Sequence, residues 1–260
     1  MLLALLMTLL AGGATTIGAL IGITGRSGSD RVLTAGLGFS AGVMLYVSFV
    51  ELLPQGARVL AGGDEATRAS TAWAVLAFFG GIAAIALVDR LVPAHMNPHE
   101  MPGAEGAHPE RARLLRTGLV TALALAIHNV PEGMSTFVSA LQSPDIAIPV
   151  VIAIALHNIP EGIAVALPVV RATGSRRRAF WLATLSGLAE PAGAVIGVLL
   201  LGSALQGPGM GAVLAAVAGV MVFVSLDELL PAAEEHGEHH VAIHSLVAGM
   251  ALMALTLLVL

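Results

Sequence analysis

Eight apolar stretches, each near the length that crosses a bilayer, constrain this chain more than any other feature of its sequence. A hydrocarbon core asks for about 20 mostly apolar residues per helical crossing. Taken at that length, the stretches fall at roughly 2-24, 32-52, 71-88, 117-141, 146-170, 179-204, 210-231 and 241-260. With 57% of residues hydrophobic, 11% charged and a mean hydropathy of +0.89, too little polar surface remains to solvate a globular domain. The sequence therefore reads as an all-α polytopic membrane protein, one transmembrane unit over residues 1-260 with a polar loop at 89-116. The stretch from Met1 to Thr24 lacks a basic leader and outruns a signal h-region, so it counts as a span. Cysteine is absent, which excludes a disulfide framework, thiolate zinc sites and cysteine nucleophiles.

Arginine supplies all twelve basic residues and sets the expected orientation. With the N-terminus outside, Arg26, Arg31, Arg90, Arg111, Arg113, Arg116, Arg171, Arg176, Arg177 and Arg178 fall in or beside cytoplasmic loops. Only Arg58 and Arg68 fall outside. This positive-inside bias predicts both termini on the non-cytoplasmic side. The connection Gln142-Ser143-Pro144-Asp145 is only a tight turn, so the fourth and fifth helices are expected to be antiparallel neighbours.

Those two spans carry the same string, His128-Asn129-Val130-Pro131-Glu132-Gly133 and His157-Asn158-Ile159-Pro160-Glu161-Gly162, at an offset of 29. An ionisable side chain at membrane depth marks a functional site. Residues four apart share a helix face, so His128 stacks with Glu132 and His157 with Glu161. Asn129 and Asn158 point about 100° away and serve a neighbouring point, which makes a binuclear site the natural geometric outcome. Each proline removes an i to i−4 bond, which is expected to free the carbonyls of Ile127 and Leu156 and kink the helix. A packing kink alone would explain the prolines but not the His, Asn and Glu. Glu190, also followed by proline, adds a third carboxylate. Glu132, Glu161 and Glu190 would repel one another, and one or two divalent cations resolve this. Taken alone, Glu190 also suits a proton relay. Imidazole, carboxylate and amide, with a thioether available from Met44, suit zinc, iron(II), manganese, cobalt or nickel better than copper(I).

A second repeat pairs residues 41-54 with residues 218-231, identical at ten of fourteen places. These are the second and seventh spans, which cross in opposite directions; inverted repeats of this kind mark transporters with a site near the midplane. Glu51 and Glu228, beside Leu-Leu-Pro in each copy, read mainly as interfacial charges. The 89-116 loop interleaves His95, His99 and His108 with Glu100, Glu105 and Glu110, and a second His/Glu string runs from Glu234 to His240. A solvated loop is the plainer reading of each, and weak metal capture the sharper one. Small-residue spacings such as Gly18 to Gly22 and Gly193 to Gly197 suit close helix packing.

The stretches 121-137, 155-180 and 186-194, and more loosely 90-100, resemble the ZIP (Zrt/Irt-like) family of divalent metal transporters in its bacterial branch, and the resemblance extends over essentially the whole chain. It implies a three-plus-two-plus-three arrangement of eight helices. It also implies that His128, Glu132, His157 and Glu161, helped by Met44, ligate one metal. Asn129, Asn158 and Glu190, bridged by Glu132 and Glu161, would hold the second. The function so implied is carriage of Zn2+, and of Fe2+, Mn2+ or Co2+, across a bacterial inner membrane into the cytoplasm. No ATP-binding motif is present, so gradients or metal trapping would drive it. A channel and a membrane-embedded zinc hydrolase are the alternatives; the hydrolase lacks a His-Glu-x-x-His string. The metal is cargo rather than catalytic cofactor, the lipid bilayer is the expected surrounding, nucleic acid is not an expected partner, and a homodimer is compatible with the sequence.

Overall fold

The computed structural model describes residues 1–24, 30–63, 65–91, 109–142, 144–201, 207–234 and 238–259. Among them the chain forms eight helical rods. These are α1 (Leu2–Thr24), α2 (Asp30–Val47, continued through Ser48–Leu52 and Leu53–Ala61), α3 (Arg68–Leu91) and α4 (Pro109–Gln142). They continue with α5 (Pro144–Thr173), α6 (Arg176–Gly187 and Ala189–Leu201), α7 (Pro208–Val224, Ser225–Leu229 and Leu230–Glu234) and α8 (His239–Val259). Six of the rods, all but α4 and α5, are long and apolar enough to cross a membrane by length and composition. The other two span 34 and 30 residues, about 50 and 45 Å at 1.5 Å per residue. Large apolar side chains stand exposed at Leu10, Trp73, Phe79, Leu199 and Leu258. Such a surface suits hydrocarbon, where backbone polar groups are closed within helices.

The second and seventh rods run further than their apolar stretches. Glu51 and Glu228 do not end a helix: α2 continues to Ala61 and α7 to Glu234. The reason lies in Pro54 and Pro231. Each lacks an N–H, and a π-helical turn, Ser48–Leu52 or Ser225–Leu229, sits just before it and shifts the hydrogen-bond register. In both copies the serine hydroxyl donates back to a methionine carbonyl, Ser48 to Met44 and Ser225 to Met221, at 2.7 Å. At the end of α2, Gly62 takes a left-handed φ of 70° that closes the last turn. The helices of α4 and α5 continue unbroken through Pro131 and Pro160.

Packing divides the rods into two groups. α1, α4, α5 and α6 pack on one another, and α2, α3, α7 and α8 do likewise, with α2 against α5 and α7 against α4 joining the groups. The pairing obeys a two-fold relation: α1 on α5 mirrors α6 on α4, and α8 on α2 mirrors α3 on α7. Individual contacts follow the same rule. A Cβ at Gly42 would overlap the Leu246 carbonyl, and one at Gly249 the Phe39 carbonyl. Their counterparts are Gly219 on the Phe78 carbonyl and Gly81 on the Ala216 carbonyl. Backbones thus meet directly where side chains are missing, which substitutes for the hydrophobic drive that lipid does not supply. We expect Gly219→Ala to force α3 away from α7 and cost about 1–3 kcal/mol, measured as a lowered Tm of the purified protein in detergent.

Candidate metal centre

The described polar side chains of the two strings are buried at the heart of the first group of rods. Asn129, Asn158, Glu161 and Glu190 are fully buried, and Glu132 and His157 nearly so. Nε2 of His157 stands 2.8 Å from Oε1 of Glu132, an imidazole on α5 against a carboxylate on α4. That pairing brings two metal-ligand types to one point and lets each offset the desolvation of the other. The Asn158 side-chain amide donates to the Ala11 carbonyl of α1 at 2.9 Å and also to the Glu190 carboxylate of α6. On α4, the Asn129 amide donates to the Ser186 carbonyl of α6 at 2.9 Å. Both amides therefore spend their N–H groups on neighbouring helices. Among the described residues, their carbonyl oxygens, together with Oε2 of Glu190, have no hydrogen-bond partner. Buried acceptors left without donors, beside an imidazole and carboxylates, are the chemistry a hard or borderline cation satisfies.

The last residue of each string makes the arrangement possible. A Cβ at Gly133 would overlap the Glu190 carbonyl oxygen, and one at Gly162 the Thr15 carbonyl oxygen. Gly133 thus admits α6, with Glu190, against α4, while Gly162 admits α1 against α5. The break in α6 between Gly187 and Ala189 falls four residues before Pro191, at the carbonyl that this proline leaves without its helical donor. Gly12 of α1 lies against that Gly187 carbonyl.

A small pocket reaches this centre from one side. Glu132 and His157 stand at it together with Glu51, and Val47, Met221 and Ile154 help to wall it. Glu51 is half-buried there rather than at a free helix end.

Residues 94–257 match the family described as ZIP zinc transporter. This chain belongs to the ZIP family. A zinc transporter ZupT of Corynebacterium glutamicum is 56% identical over 99% of this chain and 99% of its own length. Those of Corynebacterium aurimucosum, at 56% over 96% of this chain and 94% of its own, and Streptococcus mutans, at 51% over 98% and 96%, are comparably similar. Family membership makes the chain a multi-pass transporter and removes the hydrolase alternative.

In this ZIP protein the structure pairs His157 with Glu132 and Asn158 with Glu190, and ties Asn129 to α6 through the Ser186 carbonyl. Glu161 is buried on the same α5 face, one turn beyond His157. Met44 is fully buried in the apolar core, where its sulfur accepts from the Ser40 hydroxyl at 3.8 Å. The His128 side chain lies outside the described residues. So do His95, His99, His108, Glu100, Glu105, Glu235 and His236, and the side chain of Glu110. Among the described residues, no three of His, Asp and Glu stand grouped so as to hold a metal by themselves. The role of α1 is the feature that the two strings do not disclose: Ala11 gives only a backbone carbonyl, and Thr15 is one of four threonines in that span.

Asn158→Asp tests the two donated bonds. It removes the N–H groups and sets a carboxylate against Glu190, so the metal-free protein should lose about 1–3 kcal/mol. Added zinc should raise its Tm by more than it raises that of the unsubstituted protein, because ligand binding to the folded state adds stability.

Proposed function

We propose that this ZIP protein is a secondary carrier that takes zinc, and with it iron(II), manganese and cobalt, into the cytoplasm of a bacterium through a binuclear site. His128, Glu132, His157 and Glu161, with Met44, serve one ion; Asn129, Asn158 and Glu190, with Glu132 and Glu161 as bridges, serve the other. The observation that supports this most directly is the set of buried acceptor oxygens on Asn129, Asn158 and Glu190, on α4, α5 and α6, the first two of which bring His157 against Glu132. The names of the ZupT relatives, each a zinc transporter, favour zinc as the first substrate.

The arginine distribution favours termini on the non-cytoplasmic side. On that orientation, Glu51 near the far end of α2 lies towards the outside. The cavity that joins it to Glu132 and His157 is then the approach for incoming metal. Imidazole and carboxylate, without thiolate, bind tightly enough to strip part of an ion's hydration and weakly enough to let it go. Two gates that never open together would make the protein a carrier rather than a channel.

Zinc uptake into liposomes containing the purified protein tests this reading. We expect saturable uptake that Glu161→Ala reduces to background while the variant remains folded. Unchanged uptake by Glu161→Ala would overturn the site assignment, and uptake that does not saturate would favour a channel. Competition by iron(II), manganese, cobalt, nickel and cadmium as pH is varied should order the accepted ions.

A further inference from the structure

The two-fold relation that pairs the helices of the site also pairs individual residues of α1 and α6, at an offset of 175. Leu10, Gly12, Ala14, Gly18 and Ala19 recur as Leu185, Gly187, Ala189, Gly193 and Ala194. The contacts confirm the register. Asn158 donates to Ala11 as Asn129 donates to Ser186. Gly162 abuts the Thr15 carbonyl as Gly133 abuts that of Glu190. Gly18 lies on the Ile159 carbonyl as Gly193 lies on that of Val130, and Gly12 and Gly187 lie on each other's carbonyls. A Cβ at Gly12 would meet that of Glu190, and a Cβ at Gly187 that of Thr15. By every one of these contacts Thr15 is the counterpart of Glu190.

The two positions differ in chemistry. Glu190 accepts from Asn158, whereas Thr15, fully buried, has a hydroxyl without a hydrogen-bond partner, and the carbonyl oxygen of Asn129 is equally unpartnered. A buried hydroxyl of this kind costs stability unless something binds it. The crossing also sets depth. α1 and α6 are antiparallel and cross at Gly12 and Gly187. Glu190 and Thr15, each three residues past the crossing in its own chain direction, therefore lie roughly 4–5 Å to opposite sides of it. Glu190 is displaced towards the N-terminal face, which the cavity at Glu51 also approaches; Thr15 is displaced towards the face that carries Arg176, Arg177 and Arg178.

We propose that Thr15 and Asn129 form a second, uncharged pole of the metal centre. There the Asn129 carbonyl oxygen, which the second ion shares with Asn158 and Glu190, is joined by the Thr15 hydroxyl, which meets that ion directly or through one of its own waters. The pole at Glu190 and Asn158 carries a carboxylate; the pole at Thr15 and Asn129 does not. A cation is thus held more tightly on the side from which it arrives than on the side to which it leaves. This gradient in charge favours release without any change in the ligands themselves. The proposal rests on the metal-binding role of Glu190 and Asn158 argued above.

Zinc titration of the purified full-length protein, with Co2+ absorption spectra as a second readout of coordination, tests it. Thr15→Val keeps the shape and removes the hydroxyl. We expect it to weaken the lower-affinity zinc site several-fold and to alter the Co2+ spectrum, with the tighter site unchanged. Thr15→Ser should restore both, and Thr15→Glu should tighten the weaker site while slowing zinc uptake into liposomes. If valine prevents folding, Thr15→Ala replaces it. Binding and spectra by the valine or alanine variant equal to those of Thr15→Ser would overturn the proposal. Glu190→Gln is the control: if it leaves zinc binding unchanged, the reading of the centre itself fails. If Glu190→Gln weakens binding and loss of the Thr15 hydroxyl does not, only the uncharged pole is refuted.

Discussion

The side-chain amide of Asn158 donates at once to the Ala11 carbonyl on α1 and to the Glu190 carboxylate on α6, and much of the site depends on those two bonds. Neither acceptor is on its own helix, so the amide fixes α5 between two neighbours at membrane depth. An unpartnered polar group buried there costs about 1–3 kcal/mol, and an unpaired charge several times more. Three carboxylates, two amides and an imidazole within one helical group would be untenable if each had to be satisfied separately. They are tolerable because they share partners. What remains unshared is entirely acceptor in character at Asn129, Asn158 and Glu190, which is why the centre is suited to a cation and not to an anion.

The glycines explain how such a polar cluster can be packed so closely. Gly133, Gly162, Gly12 and Gly187 bring backbones into direct contact, so helix carbonyls are covered by neighbouring helices rather than by solvent. The closing glycine of each string is therefore part of the site's construction, although it offers no ligand. In the second group of rods, Gly42, Gly249, Gly219 and Gly81 do the same for the helices that flank the site.

Helix number, the antiparallel fourth and fifth helices and the inverted relation of the second and seventh were legible in the sequence because each leaves a periodic or repeated trace. Apolar runs of membrane length, a tight turn at 142-145 and two copies of a distinctive string need no tertiary knowledge. The continuation of α2 and α7 past Glu51 and Glu228 was not legible. Hydropathy falls there while the helix persists, and the π-turn that accommodates Pro54 or Pro231 has no simple signature. The part played by α1 was hidden for a different reason. Ala11 acts through its backbone, which no side-chain pattern reveals, and Thr15 departs in type from its counterpart Glu190. Leu10 and the small residues Gly12, Ala14, Gly18 and Ala19 carry the trace of the repeat, and such residues are common in any packed membrane helix.

The glycine contacts have a mechanical consequence. Helices seated carbonyl against glycine cannot turn about their long axes or slide without losing that fit, so α1, α4, α5 and α6 keep the buried polar oxygens at set separations. The seam where α2 meets α5 and α7 meets α4 is built differently, with the side chains of Met44 and Met221 buried in the apolar core that spans it. Thioether side chains are flexible and repack at small energetic cost. The molecule thus combines a stiff frame around its buried polar cluster with a compliant joint beside it, and relative motion of the two groups of rods falls to the joint.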